Sequence, residues 1–151
     1  MGAGAGQAGA TLIEVMVALL VLGVGILGVA LLQLNALKHS DSAMRSSQVS
    51  FVAQDLLERV RANPDGHYAL ASLSQAPSAA SLESPRDQDL FDFADQLRRM
   101  AGSDVQASIA VAGSEVTVTV DWNDSRAQGS EGYTRTLSLS SLVKPLWGAQ
   151  P

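Results

Sequence analysis

From Val15 to Leu32 the chain runs through eighteen apolar residues with no charge and no proline. At about 1.5 Å per residue a helix of that length spans about 27 Å, close to a hydrocarbon core of roughly 30 Å. Leu12, Ile13 and Leu34 extend the run. The reading is a membrane helix. Charge is distributed accordingly. The chain holds ten Lys or Arg and fifteen Asp or Glu, yet Glu14 is the one charged residue before Lys38. A net charge of -5 argues against nucleic-acid binding, which needs a basic face. The absence of cysteine removes disulfide scaffolds, iron–sulfur centres, thiolate zinc sites and a cysteine nucleophile. About 115 residues follow the apolar segment, enough for one small core.

A cleaved secretory signal is the competing reading of the amino terminus. Such a signal has a basic first region, a shorter apolar stretch and a small-x-small cleavage site. No Lys or Arg precedes Lys38, and the apolar run is long. The positive-inside rule therefore gives no cytoplasmic signal at this end. Glu14 stands at the mouth of the run, where a lone carboxylate is expensive unless paired or interfacial. Further on, Gly23-Val24-Gly25-Ile26-Leu27-Gly28 spells G-x-G-x-x-G. A dinucleotide site needs that motif between a strand and a helix; inside an apolar helix it reads as small residues that allow close packing.

Gly9 followed by Ala10-Thr11-Leu12-Ile13-Glu14-Val15 resembles the class III signal of type IV pilins and pseudopilins. The resemblance implies that a prepilin peptidase cuts after Gly9 and that Ala10 becomes an N-methylated terminus. It places Glu14 at the position of the glutamate that this family carries five residues into the mature chain. The free amine of one subunit would then neutralise Glu14 of its neighbour, so the charge is satisfied only in an assembled filament. The family usually has Phe where this chain has Ala10, and its leader usually carries Lys or Arg.

Past Leu34 the polarity changes while the helical pattern continues. Val49, Val52, Ala53, Leu56, Leu57 and Val60 follow the spacing of one helix face, with Gln54, Asp55, Glu58, Arg59 and Arg61 on the other. Asn63-Pro64-Asp65-Gly66 breaks the pattern. One helix is thus expected from Ala10 to Ala62. Gln33-Leu34-Asn35-Ala36-Leu37 and the stretch from Leu57 to Pro64 resemble PilV-type minor pilins, the type IV pilus modification proteins, which often show a "QL-x-AL" step and an "R-x-RANP" helix end. The two arginines also suit the dipole of any helix carboxyl end.

Residues 67–84 read as a loop with a short helical turn. Ser84 and Pro85 open a second helix as N-cap and first residue. Leu90, Phe93, Ala94, Leu97 and Met100 or Ala101 form its stripe, and Gly102 ends it. Val105, Ala107, Ile109 and Val111, then Val116, Val118, Val120 and Trp122, alternate as two strands around Ala112-Gly113-Ser114. Tyr133, Arg135, Leu137 and Leu139 suggest a third. "VTVTVDWNDSR" resembles the "V-x-V-x-W-x-D" segment of PilV-type proteins, which often carry cysteines nearby. The expected fold is α+β, the lollipop of pilins: a long amino-terminal helix, half membrane and half amphipathic, packed on a small antiparallel sheet with one extra helix. The expected segments are a leader at 1–9, a transmembrane and filament-core helix at 10–36, its amphipathic half at 37–62 and a periplasmic globular domain at 63–151.

Asp87, Asp89, Asp92 and Asp95 form the densest acidic group, read as a solvated helix face because hard cations need a shaped loop with carbonyl ligands. Asp121, Asn123 and Asp124 resemble the start of a calcium loop, but Arg126 and Gly132 stand where that loop needs Gly and Glu. His39 and His67 have no partner at ligand spacing. Trp122, Tyr133 and Trp147 read as core or interface anchors. No metal, cofactor or catalytic site is expected. The resemblance implies a structural subunit, a minor pilin that helps prime or modify pilus assembly. Its partners would be other major and minor pilins and, for processing, prepilin peptidase, with no nucleic acid. It would sit in the bacterial inner membrane by a single pass and later in the pilus. The rivals are a minor pseudopilin of a type II secretion system and, from another class, a membrane-anchored periplasmic binding or sensor module.

Overall fold

The computed structural model describes residues 11–125 and 132–143. The chain forms two compact units, Met1–Lys38 and His39–Pro151. Helix α1 runs over Leu12–Ala62 and contributes to both. Helix α2 spans Pro85–Ala101, and strands β1, β2 and β3 span Gln106–Ala112, Glu115–Asn123 and Thr134–Leu142. The expected α+β class is found, with two helices and one small antiparallel sheet. Ala10, the expected start of the long helix, lies outside the described residues.

In the first unit α1 is apolar on every side. It contains an 18-residue window of mean hydropathy 2.9, none of it buried. A helix that is hydrophobic all round is at rest only in lipid or among other helices. In the second unit α1 changes character. Val49, Val52, Ala53, Leu56, Leu57 and Val60 are buried, as the spacing predicts. Arg59 and Arg61 lie in its last turn, where cations suit the carboxyl end of the helix dipole.

The sheet order is β1-β2-β3 with both pairs antiparallel. Gly113, at a φ of 61°, occupies the left-handed position of the β1–β2 turn, which glycine adopts without penalty. Alternation then decides the faces. Ala107, Ile109, Val116, Val118, Val120 and Trp122 point into the core with α1, α2 and Tyr68. The outer face of β2 and β3 carries hydroxyls in register, with Thr117 and Ser140 2.7 Å apart and Thr119 and Ser138 3.3 Å apart.

Helix α2 begins as its sequence demands. Ser84 Oγ accepts from the Asp87 N–H, Pro85 fills the first turn, and Gly102 at a φ of 101° ends it. Of the two candidates for its last core position, Ala101 is buried and Met100 is exposed. The expected helical turn in the 67–84 loop is a 3-10 turn at Leu73–Gln75. That loop also does something the sequence reading missed. Leu70 bonds reciprocally with Ile109, N–H to carbonyl at 2.9 and 2.7 Å, and so covers part of the β1 edge.

Candidate functional site

The described part of the site begins at Thr11, whose carbonyl accepts from the Glu14 and Val15 N–H groups at 2.9 and 3.2 Å. Glu14 sits exposed in the first turn of α1, where a carboxylate complements the positive end of the helix dipole. Gly9 and Ala10, the proposed cleavage and methylation residues, lie outside the described residues. Leu12, Leu20, Leu27 and Leu32 are each at least two-thirds exposed, so among the described residues the apolar surface beside Glu14 has no cover. The three glycines of the G-x-G-x-x-G stretch are helical, with open space where a Cβ would stand. They lie inside α1 and no strand precedes them among the described residues, so the phosphate-binding turn of a dinucleotide site is not built at these glycines.

Two polar junctions hold the second unit together. The first lies around Ser42, a buried hydroxyl on the core-facing side of α1. Ser42 Oγ donates to Asp124 Oδ2, and Arg135 Nη1 donates to Ser42 Oγ and Ser46 Oγ at 2.9 Å each. Arg135 also stands 3.6 Å from the buried Asp124 carboxylate. The Asp124 N–H donates to the Tyr133 carbonyl at 2.8 Å. Both ends of the β2–β3 connection are thereby tied to one turn of α1. Sequence reasoning missed this junction. The usable signal was Ser42 itself, two helical turns before Val49, a polar residue where the face is otherwise apolar and therefore in need of a partner.

The second junction gathers the acidic group. Arg59 donates to Asp55 at 2.8 Å, Asp89 at 3.0 Å and Asp92 at 3.3 Å. Tyr68, fully buried, donates its hydroxyl to Asp89 Oδ2 at 2.7 Å and accepts from Asn63 Nδ2 at 3.1 Å. Burial first, and then the hydrogen bond to Asp89, push the Tyr68 phenol up to about 12. The hydrogen bonds from Arg59 to Asp89 and Asp55 drive its own pKa further up, so it stays a cation. Asp95 pairs with Arg99, and Asp87 with Arg86, whose guanidinium holds the Asp87 carboxyl below its usual range. The acidic helix face is therefore only partly solvated: its middle is docked on Arg59. The "R-x-RANP" stretch works as a fastening, with Arg59 on α2, Arg61 Nη2 donating to Ser141 of β3, and Asn63 on Tyr68.

The remaining candidates disperse. Thr136 donates to Asp121, Asn123 Oδ1 accepts from Ser125, and Asp124 serves the first junction, so the three do not converge on a cation. Among the described residues no group of three His, Asp or Glu side chains is arranged as a metal site. Trp122 is in the core and Tyr133 is partly exposed; Trp147 lies outside the described residues. A shallow cavity of about 320 Å³ is lined mainly by Val60, Pro64, Tyr68, Val111, Val116 and Val143.

This architecture, with an uncovered apolar helix ahead of a small α+β unit, matches the pilin fold. Residues 4–30 match the family model described as prokaryotic N-terminal methylation motif. That motif is typical of type IV pilin and pseudopilin precursors, and the matched stretch contains Gly9, Ala10 and Glu14. Comparison with curated proteins returned no match, and comparison with solved structures returned none.

Proposed function

We propose that the chain is a minor pilin of a type IV pilus that helps to prime or modify pilus assembly. The observation that carries this reading is the methylation motif at residues 4–30, ending inside an apolar helix that no described residue covers. In this account prepilin peptidase cuts after Gly9 and Ala10 is methylated. The apolar half of α1 holds the subunit in the inner membrane with its globular unit in the periplasm. On assembly the same surface leaves lipid for neighbouring helices, and Glu14 receives the amino terminus of an adjacent subunit. The role is structural rather than enzymatic. Resemblance of the "R-x-RANP" and "VTVTVDW" segments to PilV-type minor pilins favours the pilus over a type II secretion pseudopilus.

Purified filaments test the proposal. The chain is expected in sheared pili. A Glu14→Ala variant is expected to remain in the membrane, because the neighbour's amine then has no carboxylate to meet. Finding the chain in secretion pseudopili and not in pili would transfer it to the rival machine. Normal entry of Glu14→Ala into pili would remove the charge-pairing step.

A further inference from the structure

The cavity of about 320 Å³ lies in the second unit, where α1 stops, β1 turns into β2 and β3 ends. Val60 of α1, Val116 of β2, Tyr68 and Val143 are buried walls, while Val111 of β1 is 47% exposed. The Tyr68 hydroxyl is taken up by Asn63 and Asp89, and the Gly66 N–H donates to the Asn63 carbonyl at 3.1 Å. Apart from Asp65 and Ser114, both exposed at the rim, the space is faced mainly by valine methyls and an aromatic ring. Its volume is at the small end of the roughly 300–1,000 Å³ of ligand pockets. Such a slot suits one or two apolar side chains better than a polar small molecule.

The chain itself is delivered to this slot. One residue past the Leu142–Glu115 pair, the Val143 N–H donates to the Ser114 carbonyl at 2.7 Å, so the last described residue is fixed to the cavity wall. The sequence then continues Lys144-Pro145-Leu146-Trp147, outside the described residues. Trp147 is four residues beyond Val143, a reach of at most about 14 Å, which takes in the whole cavity. A segment tethered so closely competes at an effective concentration in the millimolar range, an advantage no free apolar ligand has. Pro145 fixes its own φ and narrows the choices of Lys144, which lowers the entropy lost on docking. The charges also match. Asp65 pairs with no Lys or Arg among the described residues, and Lys144 is the first residue of the segment. An exposed pair of this kind adds little strength, but it favours one orientation of the segment.

We propose that this cavity is the seat of the chain's own carboxyl-terminal segment, with Leu146 and Trp147 filling it and Lys144 facing Asp65. The segment then acts as a strap. It ties the end of β3 across the β1–β2 turn to the end of α1, and it keeps other apolar groups out of the slot. The ring of a tryptophan suits a shallow apolar slot, because its N–H can remain at the mouth in contact with water. The proposal concerns the second unit alone and does not depend on the pilin reading.

The test uses the full chain in lipid nanodiscs, labelled with 5-fluorotryptophan. The chain has two tryptophans, Trp122 and Trp147, so two fluorine resonances are expected, and Trp147→Phe identifies the second. Trp122 is buried in the core and serves as the internal reference. The Trp147 line is expected to show a solvent-isotope shift between water and deuterium oxide close to that of Trp122 and well below its own value in the urea-unfolded chain. Val111→Asp, at the half-exposed wall, is expected to restore the unfolded value for Trp147 while the Trp122 line stays in place. Overhauser contacts from the Trp147 fluorine to valine methyl protons are expected in wild type, and Val111→Ala is expected to remove some of them. This second reading needs no charged substitution, so it holds even if Val111→Asp disturbs the sheet. A Trp147 line with the full solvent shift in wild type overturns the proposal. So does a shielded Trp147 that contacts lipid and no valine methyl, or one that becomes shielded only when another protein binds.

Discussion

Tyr68 is the residue at which α1, the loop after it and α2 meet. Its ring is fully buried, and its hydroxyl bridges Asn63 and Asp89. A buried phenol that donates to a carboxylate resists ionisation, hence its rise from the ordinary value of 10 to about 12. The consequence for stability has a definite sign. Below pH 10 the phenol is protonated in both folded and unfolded chains, and its contribution is constant. Between pH 10 and 12 the unfolded chain loses the proton first, so stability falls by about 1.4 kcal/mol per pH unit from this group. Denaturant unfolding of wild type and Tyr68→Phe in detergent, compared at several alkaline pH values, checks this. The wild-type advantage is expected to be flat below pH 10 and to shrink above it; an advantage that grows with pH contradicts the assignment. Gly66 depends on the same ring. A Cβ there would stand 2.5 Å from Tyr68 Cε2 and 2.9 Å from Asn63 Nδ2. Gly66→Ala therefore has to displace a ring that is packed and hydrogen-bonded, at an expected cost of about 1–3 kcal/mol in the same unfolding measurement.

At the scale of elements, α1 is one helix with two kinds of surface, and the change falls where charges first appear in the sequence. That change was legible beforehand, because eighteen uncharged apolar residues and a later 3.6-residue stripe are both local patterns. The caps of α2 were legible too: Ser84, Pro85 and Gly102 act through their own backbone neighbours. The β1–β2 hairpin followed from alternation around Gly113. What stayed hidden were contacts between residues far apart in sequence. Arg135 reads only as one member of the third strand's alternation until it meets Ser42, Ser46 and Asp124, and the acidic group on α2 reads as a solvent face until Arg59 reaches it. Neither partner has a periodicity that announces the other. The Ser42 junction can be weighed by unfolding Asp124→Ala. Removing the carboxylate leaves Ser42 and Arg135 without their shared acceptor, and Arg135 is 39% exposed, so water offsets part of the loss. A cost of about 1–3 kcal/mol is expected. Leu97→Ala, at a fully buried position of α2, is expected to cost more, about 2–5 kcal/mol, because a cavity replaces packed side chain.

At the scale of the whole molecule, the chain holds two surfaces with different destinies. The core of the second unit is closed by its own residues. Among the described residues nothing closes the apolar helix of the first unit, and its single carboxylate, Glu14, has no partner. Such a molecule is completed by other molecules, first lipid and then, in the account proposed here, other subunits. In the proposed account the methylation motif at residues 4–30 links those two states, because cutting after Gly9 would create the amine that a neighbour's Glu14 would meet. Mass spectrometry of the mature protein tests that link most directly. The account predicts an amino terminus at Ala10 carrying one N-methyl group. A mature chain that retains Met1, or begins at any residue other than Ala10, contradicts it.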